Sequence, residues 1–169
     1  MITDPRSPAG RKPVGGVTAV ELAAAANIRE AEFDDAGSLC TRLEYCDPQS
    51  VMQCRLLEER SSFTETLSAD GAAVCIRHTL RLVADRNTAE AWMSPDFISE
   101  LLCAGVVAAV TLADGRRFAA GLSRRFGLEQ PLRLRSLKAD SGCAAADEPT
   151  LEMVLESYDT GFAPRLSND

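Results

Sequence analysis

Histidine and aromatic residues are scarce in this chain, and their scarcity excludes a good deal of chemistry. Among 169 residues there are one histidine, one tryptophan and two tyrosines, and aromatics make up 5%. With His78 alone, any Ser-His or Cys-His mechanism has a single possible base. The six cysteines, Cys40, Cys46, Cys54, Cys75, Cys103 and Cys143, contain no C-x-x-C pair, so no zinc-ligand spacing exists. No G-x-S-x-G, G-x-G-x-x-G or Walker-type loop is present. The apolar run Cys103 to Val110, interrupted by one glycine, is too short to span a membrane. The opening "MITDPRSPAGRKPVGG" lacks the apolar stretch of a secretory signal. These absences predict a soluble protein of a reducing cytoplasm, without cofactor or metal. Cys75 and Cys103, set in apolar segments, are expected to be small buried hydrophobes.

What is present is ordinary globular material, with 46% apolar and 25% charged residues, enough for one domain with a real core. The net charge of −7 is unevenly spread: +2 over residues 1–16, −9 over 17–115, +6 over 116–138 and −6 over 139–169. The basic block reads either as a phosphate-binding patch or as a strand face opposite an acidic neighbour. Overall acidity argues against specific nucleic-acid binding, because affinity for phosphates is largely electrostatic.

Three prolines and three glycines mark residues 1–16 as a flexible arm, and 165–169 reads as a flexible tail, leaving 17–164 as one domain. "VTAVELAAAANI" (17–28) fits either an alanine-rich helix or a strand running into a short irregular segment, and the strand is preferred. "SLCTRLEY" (38–45) and "SVMQCRLLEE" (50–59), split by Asp47-Pro48, are expected to be strands of a small meander. "SFTETL" and "VCIRHTLRLV" flank the turn Ser68-Ala69-Asp70-Gly71 and alternate with period two. They predict an antiparallel hairpin with Phe63, Glu65 and Leu67 on one face and His78 inward. Ser94 as N-cap, Pro95 at the first helical position and Gly105 as terminator bound a helix of about 94–104. Its apolar stripe is Phe97, Ile98, Leu101 and Leu102. In "VVAAVTLADGRRFAAGL", Asp114-Gly115 signals a type I′ turn between Val106–Leu112 and Arg117–Leu122. "PLRLRSL" and "TLEMVLESY" turn Leu132, Leu134, Leu151, Met153 and Leu155 inward. Their outward arginines and glutamates can then pair across strands. The expected fold is mainly β: an antiparallel β-sandwich or barrel-like sheet with one flanking helix.

Candidate chemistry is thin. Asp159-Thr160-Gly161 matches the aspartic-protease triplet, but only eight residues follow Gly161, too few to brace such a loop. Asp34-Asp35-Ala36-Gly37 reads as a solvated turn. His78, between Ile76 and Leu80, reads as a hydrogen-bonded core or interface histidine. Arg124 and Arg125 lie in a connection too polar for core, either a solvated loop or a contact surface for another subunit or an acidic partner.

The order of these features resembles a group of small tail proteins from bacteriophages of gut Bacteroidales. The stretches that carry it are "GVTAVELAAAANI", "SSFTETL", "IRHTLRLV", the capped helix before "GVVAAVTLADGRRFAAGL", and "PTLEMVLESYDTGFAP". The resemblance spans most of residues 15–164 and rests on pattern and order. It implies a non-enzymatic tail-tube-like subunit, a β-sandwich with a flanking helix that self-associates into rings and meets other tail proteins. Such a protein is cytoplasmic before assembly and part of the virion afterwards, and Arg124 and Arg125 would lie on a subunit contact. An acidic lumen repels duplex phosphates, which the net charge suits. The alternative is a small β-sandwich binding or adaptor module that recognises a protein or glycan.

Overall fold

Period-two patterning dominates the chain, and it sorts into two sheets. The computed structural model describes residues 15–69 and 73–167. In chain order the elements are β1 (Val17–Ala24), β2 (Ile28–Phe33), β3 (Leu39–Tyr45), β4 (Met52–Cys54), β5 (Ser62–Ser68), β6 (Cys75–Asp85), α1 (Pro95–Cys103), β7 (Val106–Leu112), β8 (Arg117–Ala120), β9 (Arg133–Asp140), β10 (Thr150–Asp159) and β11 (Arg165–Leu166). A seven-stranded sheet runs β2-β3-β11-β8-β7-β1-β4, and a four-stranded sheet runs β5-β6-β10-β9. Neighbouring strands are antiparallel except β11 and β3, which are parallel. The expected β-sandwich with a flanking helix is the observed architecture.

The main core lies between the sheets. Val20 and Leu22 of β1 and Val106, Ala108 and Val110 of β7 meet Leu80 and Leu82 of β6 and Leu151, Met153 and Leu155 of β10. Leu101 of the helix and Trp92 close one side. Fully burying each such large apolar side chain is worth about 1.5–3 kcal/mol. A bulge between Val17 and Ala19 shifts the phase of β1, which lets Val17 join Val20 in the core. A second core joins the two halves of the larger sheet: Ile28 and Cys40 pack with Ala23, Val107, Ala109 and Ala119. Residues from both ends of the strand order share this cluster, so the sheet curls over itself.

Several expectations need correction. β3 and β4 are not a meander, because β3 pairs with β2 and β11 while β4 pairs with β1 at the other edge. The helix keeps its Ser94 cap, whose Oγ accepts the Phe97 N–H at 3.3 Å. Leu101 is buried but Leu102 is exposed, since one further residue turns 100° away from the core. The Asp114-Gly115 turn is not type I′, which requires positive φ at both central residues. Gly115 alone has positive φ, +84°. The Leu112 N–H donates to Arg116 O and the Gly115 N–H to Leu112 O, each at 2.9 Å, giving a three-residue loop with a left-handed glycine. Asp114 stays right-handed and accepts the Arg116 N–H at 3.0 Å.

Arg165 and Leu166, assigned to the tail, form β11 between β3 and β8. At the other end of the domain, the Gly16 carbonyl accepts the Ala113 N–H at 3.0 Å. The rest of the proposed arm (1–14), Asp70 and Gly71 of the expected turn, and residues 168–169 lie outside the described residues. All six cysteines are free, and Cys75 and Cys103 are exposed; Cys40 is the buried one. Cys75 opens its strand and Cys103 ends the helix on its outer side, so neither reaches the core.

Candidate functional site

The loop carrying Arg124 and Arg125 is rigidly built. Ser123 and Gly127 exchange two backbone hydrogen bonds, at 2.9 and 2.8 Å. The buried Ser123 Oγ accepts the N–H groups of Arg125 and Phe126, each at 3.1 Å, and donates to Asp159 Oδ1 at 3.0 Å. Asp159 Oδ1 also accepts the Thr160 N–H at 2.6 Å. The carboxylate of the protease-like triplet thus braces a loop. That brace spans 36 residues of sequence, which no local pattern announces.

Arg124 crosses the β2–β3 turn. A Cβ on Gly37 would fall 1.9 Å from Arg124 Cδ, so only glycine leaves room for this stem, and Gly37 has φ +70°. The guanidinium of Arg125 lies 5.4 Å from the centroid of the Phe126 ring. Both arginines are exposed, and neither has a carboxylate partner among the described residues. Elsewhere in the basic block Arg116, Arg117, Arg135 and Lys138 are ion-paired, with Asp114, Glu21, Glu156 and Asp140 respectively. The Arg135–Glu156 pair is the expected cross-strand contact, whereas Glu152 pairs with Arg81 of β6.

The two arginines border a cleft of about 400 Å³ with Thr160, Gly161, the exposed Phe162 and Pro164. On the other side of the loop lies a more apolar hollow of about 430 Å³, lined by Ile28, Phe33, Leu122 and Leu128. Arg124 borders both.

Behind the cleft runs a polar row across three strands, buried at His78 and Ser157 and half-buried at Glu65. Glu65 of β5 lies opposite His78 of β6, and His78 lies opposite Ser157 of β10. A carbonyl can only accept, so His78 Nε2 carries the proton and donates to Gly161 O at 3.1 Å. Glu65 Oε1 lies 3.5 Å from the same nitrogen and accepts the Ala163 N–H at 2.6 Å. The Phe63 ring meets the imidazole edge-on, with centroids 6.2 Å apart. Ser157 Oγ is buried and has no hydrogen-bond partner among the described residues. A Ser, a His and a Glu are therefore neighbours, but the hydroxyl is not bonded to the imidazole, as a nucleophile–base pair requires. The row clasps the strap 160–164 to the four-stranded sheet. Glu65 and Ser157 were legible as polar residues at inward positions, Ser157 continuing the period of Leu151, Met153 and Leu155. Nothing in the pattern showed that they meet.

The two ends of the four-stranded sheet differ. Leu67, Val74, Tyr158 and Phe162, four of the five large apolar side chains exposed among the described residues, gather at the end that carries Arg124 and Arg125. At the opposite end lie Glu58, Glu59, Asp85, Asp140, Asp147 and Glu148, with Arg60, Arg86 and Lys138 among them. Among the described residues no cluster of three His, Cys, Asp or Glu side chains could hold a metal, and no helix is long and apolar enough to cross a membrane. No family model and no curated protein matches the chain.

Proposed function

We propose that this chain is a non-enzymatic structural subunit that associates head to tail with copies of itself, as in a phage-tail-like assembly. The observation that carries the reading is the polarity of the four-stranded sheet. One end presents exposed apolar side chains and two unpaired arginines beside the Asp34-Asp35 turn, and the other presents mostly carboxylates. Unlike ends on one rigid body favour a heterologous contact, which builds rings, stacks or filaments rather than a closed two-fold dimer. Monomeric proteins seldom gather exposed apolar side chains in one place without a partner for them.

The edges of the sheet support lateral contacts as well. β5 pairs with β6 without a register shift, and its outward residues Ser62, Thr64, Thr66 and Ser68 carry no charge. Such an edge lacks the bulges, prolines and lysines that block strand addition. The β9 edge is bulged and carries Arg133, Arg135 and Lys138. The exposed face between these edges mixes Arg77, Arg81, Arg133, Arg135 and Lys138 with Glu152 and Glu156, so the acidic lining argued from net charge would have to come from another face.

The tail assignment itself rests on the resemblance in feature order. Sedimentation velocity over a concentration series, followed by negative-stain microscopy, tests the reading. The expected result is mass that grows with concentration, with rings or stacks on the grid. A monomer at every concentration would overturn the reading and favour the binding or adaptor module.

A further inference from the structure

Resting on that head-to-tail reading, we infer that the Arg124-Arg125 pair of one copy docks on the Glu58-Glu59 pair of the next. Both pairs are exposed, and neither has an opposite charge bonded to it among the described residues. Both are also held in place before any partner arrives. Ser123 and Asp159 fix the arginine loop, Gly37 seats the Arg124 stem, and Phe126 lies against Arg125.

The glutamates sit on a turn anchored at both sides. Leu57 N–H donates to Val83 O at 2.9 Å, Ser61 Oγ accepts the Val83 N–H at 3.0 Å, and Arg81 Nη1 donates to Arg60 O at 2.8 Å. Glu59 has φ +58°, the one non-glycine residue with positive φ among the described residues. Such backbone strain collects where the surroundings, or a function, demand a particular presentation of the side chain.

Position along the sheet makes the two pairs complementary. The arginine loop is bonded to Asp159, which lies opposite Ile76, while the glutamate turn is bonded to Val83. Those two β6 residues are about 23 Å apart at the usual rise per residue. A second copy stacked along the strand direction therefore sets the end that carries the glutamates against the end that carries the arginines. The other acidic pairs are committed or misplaced. Asp147 accepts the N–H groups of Cys143 and Ala144, and Glu148 pairs with Arg60. Asp34-Asp35 lies in the β2–β3 turn beside Arg124, at the same end as the arginines.

The test uses two full-length charge-reversal variants, Arg124→Glu/Arg125→Glu and Glu58→Arg/Glu59→Arg, in sedimentation velocity at low and high salt. All four sites are on the surface, and circular dichroism checks that each variant is folded. Each variant alone is expected to raise the concentration needed for association by about tenfold or more, from two lost pairs and the new like-charge repulsion. An equimolar mixture restores association, because every contact between unlike variants is again of opposite sign. High salt weakens the wild-type contact. A wild type that never associates sinks the head-to-tail reading itself. A wild type that associates while Glu58→Arg/Glu59→Arg behaves normally, or a mixture that stays dissociated, overturns this pairing and leaves the broader reading standing.

Discussion

Replacing His78 by alanine tests the clasp directly, and the structure sets the size of the effect. The substitution removes one hydrogen bond to Gly161 O, a net contribution of about 1 kcal/mol, and leaves that carbonyl and the Glu65 carboxylate short of a donor, which costs about 1–3 kcal/mol. It also deletes the edge-on contact with Phe63, worth about 0.5–1.5 kcal/mol. These terms overlap, and a total near 3–4 kcal/mol is expected. For a chain of this size each kcal/mol lowers Tm by about 2–4 °C, so the fall is roughly 6–16 °C. His78→Phe keeps the ring and its packing but cannot donate to Gly161, so it should lose less. Urea unfolding gives the free energies, and hydrogen exchange over residues 160–167 locates the loss. If His78→Ala costs under about 1 kcal/mol, or the strap amides of the wild type exchange as freely as an open loop, the clasp does not hold the strap.

Two further outcomes follow from burial. Ser157→Ala should be neutral or stabilise by up to about 1 kcal/mol, because the hydroxyl it removes is buried without a partner; a clear loss in urea unfolding would mean that Ser157 bonds something essential. In a timed alkylation of the native protein at mildly alkaline pH, Cys46, Cys75, Cys103 and Cys143 should react, while Cys40 stays protected by burial and Cys54, its thiol pushed up to about 12 by desolvation, stays protonated. Early labelling of Cys54 would contradict that burial.

Much of this fold was legible where one face of an element is buried and its pattern is local. The alternation of Ile76, His78, Leu80 and Leu82 fixed both the strand and the inward histidine, because a one-residue slip would expose all four. Ser94, Pro95 and Gly105 bounded the helix through capping chemistry that lies within a dozen residues. Long-range partnership was not legible. β4 reads like a neighbour of β3, yet it pairs with β1, some thirty residues earlier in the chain. β11 has two residues, too few for any period, and exists because β3 and β8 leave a place for it. Asp114-Gly115 named a turn but not its type, since the choice depends on whether Asp114 itself can take positive φ. For the site, Arg124 and Arg125 stood out by charge, while Gly37, Ser123, Glu65 and Ser157 gain their roles only from what they touch.

The clasp and the candidate contact surface are parts of one construction. Phe162, on the rim of the arginine cleft, lies between Gly161 and Ala163, and these two residues are held by His78 and Glu65. Asp159, the last residue of β10, braces the arginine loop through Ser123. The apolar and cationic halves of the cleft are thus both anchored to the end of the four-stranded sheet, one through the strap and the other through the loop. A surface built to meet another molecule gains affinity when its side chains are ordered beforehand, since less conformational freedom is lost on contact. This gives the buried row a reason to be polar. An apolar row would suit the core equally well, but it could not bond the backbone of residues 161 and 163 and hold Phe162 beside the two arginines.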